Sequence, residues 1–468
     1  MSRILKLLIT IICINLLFNL NIKSVRAECL SYQEVLKKSI ANSFDLKLTG
    51  KDIDISKSAL KEAKSEYFPT LKTGFNTEYV NDLKNGAGTF SSVGGTFIPP
   101  NTEFQNLLSV GLNYNLYDFG VRGKKVSIAK KDVSEKKIVY SQTLRDLKLS
   151  IIDLYTQALL TYKEIKIKQD NLAVDKELFN MKQRLFEAGT ISKVDLATDA
   201  IKVAKLFDDI DNLKIKLKTT LEDISMYTGD KYSGESIEVL DFDDEEYIVP
   251  VNTITPVNSK GEKIYQLQAE TKKVAYVQTQ FDPKKSEEYQ IYQFEIEKKK
   301  AELAILEKQR LPQFGFYTNY ILYGSERSNY MDSFGNLAQT NVSFGISSSL
   351  PIFDGFKNSA QRQKTEFEIA RLEIERDKKV AELVNKFEKI HKTAQFYNIE
   401  IQNQEDLLAK VNNKIEMIDK LDQQKLVNKT EVLSSKEELL SQKLELEKTI
   451  TSKISNFKKL QIMSEGLN

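Results

Sequence analysis

The chain has 468 residues, with 68 Lys plus Arg against 66 Asp plus Glu and a formal net charge of +2. That balance leaves no basic field for nucleic acid, and the charged 29% of the chain is most simply solvated helix surface. One histidine, two cysteines, no paired His or Cys at metal spacing and no Gly-rich phosphate loop after a strand argue against an enzyme, a metal centre or a bound cofactor.

Residues 1–27 read as a signal peptide: Arg3 and Lys6 are the basic start, Leu7 to Leu17 the apolar stretch, and Val25-Arg26-Ala27 a small-x-small cleavage site. Cleavage there leaves Cys29 alone, since Cys13 lies in the signal, so rigidity must come from packing rather than a disulfide. Lipidation at Cys29 is disfavoured because Glu28 stands where a lipoprotein site wants a small residue. No later run approaches the roughly 18 to 20 apolar residues of a transmembrane helix, so any membrane crossing must use strands.

The first repeat, 28–228, opens with a helical stretch that Pro69 ends by removing a backbone donor and restricting the residue before it. A β-hairpin is expected over 70–117. Leu71, Thr73, Phe75, Thr77 and Tyr79 alternate with Lys72, Gly74, Asn76 and Glu78, and Phe104, Leu108, Val110, Leu112, Tyr114 and Leu116 return opposite Gln105, Ser109, Gly111, Asn113 and Asn115. At Tyr117-Asp118-Phe119-Gly120 the pattern switches from strand to helix, with Asp118 placed as an N-cap and Gly120 in the turn. Long helices over 119–228 follow. A continuous helix from Phe119 to Glu187 would reach about 100 Å.

Residues 229–288 lose the helical repeat and carry Pro250, Pro256, Pro283 and an acidic run at 241–246, which reads as a solvated loop because it lacks the ligand spacing of a cation site. The second repeat, 289–463, copies the first. Pro312 ends its leading helix, a hairpin is expected over 313–352, and helices are expected over 356–463, leaving a short tail at 464–468. Phe314, Phe316, Thr318, Tyr320 and Leu322 lead out; Val342, Phe344, Ile346 and Leu350 return opposite Ser343, Gly345, Ser347 and Ser349. Phe353-Asp354-Gly355-Phe356 is the second strand-to-helix turn, with Asp354 as its cap and Gly355 in the bend. Both hairpin tips, 84–102 and 325–340, are small and polar and are expected to be exposed loops. His391, in the long second helix, reads as a surface or seam residue.

Residues 118–196 and 354–432 align at a constant offset of 236, so that Leu144, Ile151, Ala158, Ile165, Leu172 and Phe179 match Val380, Phe387, Ala394, Ile401, Leu408 and Ile415, each set stepping by seven. A shared heptad phase predicts long helices packed knobs into holes, and its duplication means one unit built twice. Four strands with one apolar face cannot span a membrane alone, because open edges would leave donors and acceptors in hydrocarbon. A soluble sandwich sharing that apolar face satisfies the alternation too. The Gly, Ser and Asn of the other face, and Tyr79, Phe104, Phe314 and Tyr320 near strand ends, favour a barrel.

The export signal, the hairpins closing on YDFG and FDGF turns, the long helices and the tip Phe186-Glu187-Ala188-Gly189-Thr190-Ile191-Ser192-Lys193-Val194-Asp195-Leu196 resemble the TolC family of outer-membrane efflux proteins, over about residues 30 to 463. The most specific element is a glycine followed six residues later by an acidic and then an aliphatic residue, at Gly189, Asp195 and Leu196; in the second repeat Lys425 replaces the glycine while Lys429-Thr430-Glu431-Val432-Leu433 keeps the rest. The resemblance implies a fold that is mostly α with transmembrane β: two tandem repeats of strand hairpin plus long antiparallel coiled-coil helices, forming a homotrimer with a 12-strand β-barrel and a 12-helix α-barrel. It implies a passive exit duct of a tripartite efflux or type I secretion system, seated in outer-membrane lipid and partnered by a periplasmic adaptor and an inner-membrane RND or ABC transporter. Adaptor docking carries over to Gly189, Thr190, Val194, Leu196, Val432 and Leu433, and a gate constriction to Asp195 and Glu431. Ser434 stands where a second acidic residue often lies. Helix capping explains Asp195 and Glu431 equally well. The competing reading is a structural or adhesive coiled-coil surface protein without a pore, for which two matched amphipathic hairpins would have no use.

Overall fold

The computed structural model describes residues 30–79, 89–90, 97–98, 104–232, 240–241, 282–326, 329–337, 339–424 and 426–464. The expected signal peptide, Cys29, Lys425, most of the 229–288 insert with its acidic run, and residues 465–468 lie outside the described residues. The chain runs β1 (Leu30–Ser31), α1 (Tyr32–Asn42), α2 (Phe44–Ser65), β2 (Thr70–Tyr79), β3 (Thr89–Phe90), β4 (Phe97–Ile98) and β5 (Phe104–Tyr117). It continues through α3 (Val121–Glu187), α4 (Lys193–Thr228), β6 (Leu240–Asp241), α5 (Glu287–Lys308) and β7 (Gln313–Glu326), then α6 (Tyr330–Gly335), β8 (Gln339–Ser349), α7 (Lys357–Gln423) and α8 (Lys429–Ser464). Both helices that lead into a hairpin stop about a turn before their proline, α2 at Ser65 ahead of Pro69 and α5 at Lys308 ahead of Pro312, and each proline bars the helix from resuming before the strand.

The chain divides into two compact units, each drawing on both repeats: Met1–Lys47, Gln142–Pro283 and Glu382–Asn468 make one, and Leu48–Ser141 with Lys284–Ala381 the other. In the second, four antiparallel strands form one sheet in the order β2-β5-β7-β8, so the inner strands of the two hairpins pair with each other. Register aligns Phe75 with Leu108, Leu108 with Leu322, Val110 with Tyr320, and Tyr320 with Val342, which carries one apolar face across all four strands. Phe75, Phe344 and Ile346 on that face are 55, 77 and 71% exposed. The opposite face holds Gly74, Asn76, Ser109, Gly111, Asn319, Ser343 and Gly345. It also holds Leu107, Ile321, Tyr317 and Tyr323, so it is less uniformly small and polar than the alternation suggested. β2 and β8 are the sheet's edges, and the sheet is open.

The hairpin tip at 325–340 is mostly exposed, as expected, but it holds a short helix rather than a loop alone. Asn329 caps α6 through its Oδ1, which accepts from the Asp332 N–H at 2.9 Å, and Ser333 is fully buried with its Oγ donating to the Gly324 carbonyl at 2.9 Å. The polar composition that suggested a solvated loop instead supplies a cap and a docking hydroxyl.

The first unit is packed on the heptad seam of α3. Ile151, Ile152, Tyr155, Ala158 and Leu159 are at most 1% exposed, and Ile165 and Leu172 continue the buried line. Tyr155 packs edge-on against Tyr32, and its hydroxyl donates to the Leu30 carbonyl at 2.6 Å, satisfying a buried polar group. Thr156 meets Ser455 of α8, hydroxyl to hydroxyl at 2.8 Å. The matched heptad positions of α7, from Val380 to Ile415, are only half-buried, although the sequence phase is the same. Phe367, Ile374, Phe396 and Ile399 of that helix are 59 to 70% exposed. His391 is half-buried and stacks beside Phe387. Among the described residues no helix is long and apolar enough to cross a membrane.

Candidate functional site

The first strand-to-helix turn is built by two consecutive left-handed residues, Phe119 (φ 54) and Gly120 (φ 84), and the second by Gly355 (φ 66) and Phe356 (φ 66). Glycine and phenylalanine exchange places, so the backbone path is kept while its order of residues is not. A non-glycine in this region costs roughly 1–2 kcal/mol. In each turn the phenylalanine packs edge-on against an aromatic just before it, Phe119 on Tyr117 at 4.7 Å and Phe356 on Phe353 at 5.5 Å, which offsets part of that cost.

The two capping aspartates differ in what they hold. Asp118, 5% exposed, accepts from the Gly120 and Arg122 N–H groups at 3.0 Å each and from Arg122 Nε at 2.9 Å. Arg122, 8% exposed, also donates to the Glu66 and Leu116 carbonyls and lies over the Tyr67 ring at 5.0 Å. Burial pushes the Asp118 carboxyl up, but the two backbone donors and the guanidinium outweigh it and hold it below the usual carboxylate range. In the second copy the equivalent of Arg122 is Asn358. Its N–H reaches Asp354 Oδ2 at 2.9 Å and its amide donates to the Leu306 carbonyl, while Asp354 is exposed. One turn is therefore locked by a buried ion pair and the other by hydrogen bonds from Asn358.

The first helix tip lies between α3 and α4. Gly189 is left-handed (φ 74); its N–H bonds the Phe186 carbonyl and the Thr190 N–H bonds the Leu185 carbonyl, both at 2.9 Å, which is the double closure of a Schellman cap. Ser192 then caps α4: its Oγ accepts from the Asp195 N–H at 3.1 Å and donates to Asp195 Oδ2 at 2.7 Å. Val194 is 74% exposed, Gly189, Thr190 and Asp195 are exposed, and Leu196 is half-buried. At the second tip, between α7 and α8, the Leu426 N–H reaches the Leu421 carbonyl at 2.9 Å, the counterpart of the Thr190 bond. Glu431, exposed, sits in the first turn of α8 with its N–H on the Asn428 carbonyl at 2.8 Å.

Val432 and Leu433, which the resemblance assigns to adaptor docking, are 7 and 2% exposed within the chain. The tip motif repeats at the same helical phase, yet Leu196, the match of Val432 in the first repeat, is only half-buried.

Sequence reasoning also missed a charge cluster near the tips. Lys202 of α4 donates to Asp175 of α3 at 3.1 Å and to Glu437 of α8 at 2.6 Å, tying three helices together. Asp175 is 4% exposed, and burial pushes its carboxyl up against the pull of Lys202. Burial presses the Lys202 ammonium down, but bonds to Glu437 and Asp175 outweigh it and raise it. Each residue stands alone among many similar charges in the sequence, so only their convergence marks them. Lys182 with Asp199 and Lys429 with Glu177 add further ion pairs between helices at 2.7 and 3.0 Å.

A family model described as outer membrane efflux protein matches residues 35–229 and 289–461. No curated protein matches the chain. Among solved structures, CusC is similar at 13% identity over 93% of this chain and 92% of its own, with a TM-score of 0.72. VceC from Vibrio cholerae is similar at 13% identity over 93% and 96%, with a TM-score of 0.70. The CmeC outer membrane channel of Campylobacter jejuni is similar at 10% identity over 93% and 85%, with a TM-score of 0.70. At such identities the likeness speaks for the fold, and the family match speaks for the role. With both repeats covered by that model, this chain belongs to the outer membrane efflux protein family and is an outer-membrane exit duct that extends into the periplasm.

Proposed function

We propose that three copies of this chain close the duct, giving a 12-strand barrel from the four-stranded sheets and a 12-helix tube from α3, α4, α7 and α8. The carrying observation is the open sheet: its apolar face spans four strands while, among the described residues, β2 and β8 end in unpaired edges, which hydrocarbon does not tolerate. The exposed apolar residues of α7, Phe367, Ile374, Phe396 and Ile399, support the same reading, because a neighbouring copy gives them something to pack against. In this reading the mature chain follows removal of residues 1–27, and repeats 28–228 and 289–463 flank the insert at 229–288.

The tips around Gly189, Thr190, Val194 and Leu196 dock a periplasmic adaptor that couples the duct to an inner-membrane RND or ABC transporter. Asp195 and Glu431, repeated three times each, surround the narrowest point, where crowded carboxylates favour cations and resist leakage. The chain acts by conduction, with no chemical step. Detergent-purified mature protein should show a mass near three chains and conduct in planar bilayers. A stable monomer without conductance would sink this reading.

A further inference from the structure

The polar interruption in the sheet's apolar face is where the second hairpin tip docks. Asn106 shares that face with Phe104 and Leu108, and it is 2% exposed. Its amide donates to the Tyr330 carbonyl of α6 at 2.9 Å. Directly across the ladder is Gly324, also on this face, where an added Cβ would come within 2.1 Å of the Ser333 carbonyl oxygen and 3.1 Å of the Leu337 nitrogen. The missing side chain is what lets the backbone of residues 333–337 lie flat on the strand. Ser333 then bonds the Gly324 carbonyl, Asn336 donates to Glu326 at 3.0 Å, Tyr330 packs edge-on against Phe104 at 4.5 Å, and Phe334 against Phe75 at 6.0 Å. Every one of these contacts lies on the face that the barrel reading turns toward lipid. The tip is therefore folded back along the outside of the wall, rather than over the mouth of the duct.

We infer that residues 329–337 are an interfacial anchor in the outer leaflet of the outer membrane. The segment covers Asn106, which would otherwise face lipid with an unmatched amide, and turns its own apolar groups outward: Met331 is 77% exposed, Phe334 51% and Tyr330 43%. Phe334 extends the apolar face of Phe75 and Met331 adds exposed apolar surface to the same short segment, while Asn329, Asp332 and Asn336 supply the polar groups of an element lying at the headgroup boundary. The occupant that fits is a lipid interface. The inference rests on the barrel reading for which face meets lipid.

The test uses full-length mature protein with Cys29→Ser, carrying one bimane-labelled cysteine and reconstituted in phosphatidylethanolamine–phosphatidylglycerol vesicles. A label at Met331→Cys should be quenched by a nitroxide placed shallow on the lipid chain at least twofold more strongly than by a deep one, and little by iodide. Phe344→Cys, on the outer wall, should respond to lipid nitroxides, and Ser343→Cys, on the opposite face, to iodide. Adding Gly324→Ala should evict the segment and move the Met331 label from lipid to iodide quenching. A Met331 label quenched by iodide as strongly as Ser343, while Phe344 still reports lipid, overturns the anchor and leaves the barrel standing. A Phe344 label that no lipid nitroxide reaches overturns the barrel face itself. Lipid quenching at Met331 that survives Gly324→Ala refutes the docking geometry.

Discussion

The two strand-to-helix turns are an experiment the chain performs on itself, because duplication has produced one aspartate in a buried ion pair and one at the surface. Asp118→Ala removes the acceptor of three N–H donors and leaves the Arg122 guanidinium, 8% exposed, with no carboxylate from this turn, only carbonyls at 3.3 and 3.4 Å and the Tyr67 ring. Removing one partner of a buried pair costs about 3–5 kcal/mol. Asp354→Ala removes one acceptor from one backbone N–H at an exposed site, a cap loss of about 1 kcal/mol. The expected gap between the variants is at least about 2 kcal/mol, read by urea unfolding in detergent and followed by far-UV circular dichroism, since the chain has no tryptophan. The pH dependence adds a second check. The folded carboxyl of Asp118 is held below its unfolded value, so its contribution is fully present above the ordinary carboxylate pKa of about 4 and is lost as pH falls through the lower folded value. The deficit of Asp118→Ala should thus stay constant from pH 8 to 5 and shrink only under strong acid. Equal losses at the two turns, or a deficit that already closes near pH 6, would refute the ion-pair argument.

The sheet faces make a positional prediction: Phe344→Arg or Ile346→Arg should lower the stability of the assembled duct by roughly 2–4 kcal/mol, whereas Asn113→Arg should be tolerated, as measured by folded yield in vesicles. At the tips, Gly189→Trp should abolish dye efflux from cells while trimers persist; Val432→Asp should fail differently, losing about 3 kcal/mol or more because the site is 7% exposed, and gel analysis of assembly separates the two. Trivalent cations should block wild-type current more strongly at low than at high ionic strength, and Asp195→Asn with Glu431→Gln should weaken that block. If those carboxylates serve only the helix N-termini, Asp195 by accepting from the Ser192 hydroxyl and Glu431 by its place in the first turn, the block is unchanged and about 0.3–1 kcal/mol of thermal stability is lost at each site instead.

Sequence alone determined what depends on periodicity and on residues with one permitted geometry. The alternation from Leu71 and from Phe314 located strands, since side chains of a strand must point to opposite faces. Pro69 and Pro312 located helix ends; the tip at Gly189 came from the family resemblance, and its left-handed backbone accounts for the glycine there. The heptads of α3 were legible as a seam for the same reason, with Ile151, Ala158, Ile165 and Leu172 buried where the count of seven put them.

What only the tertiary structure decided depends on residues far apart in the chain. The same heptad phase buries α3 and leaves α7 half-exposed, because burial is a property of neighbours and the phase only orients the stripe. Val432 matches Leu196 of the first tip, yet Val432 is 7% exposed where Leu196 is half-buried. Lys202, Asp175 and Glu437 form a cluster only because three helices meet. The hairpin tip with a loop's composition became a docked helix because Gly324 and Asn106, on two different strands, leave room and a donor for it. Local chemistry sets which element forms; which surface it meets is set by packing across the chain, and no local pattern encodes that.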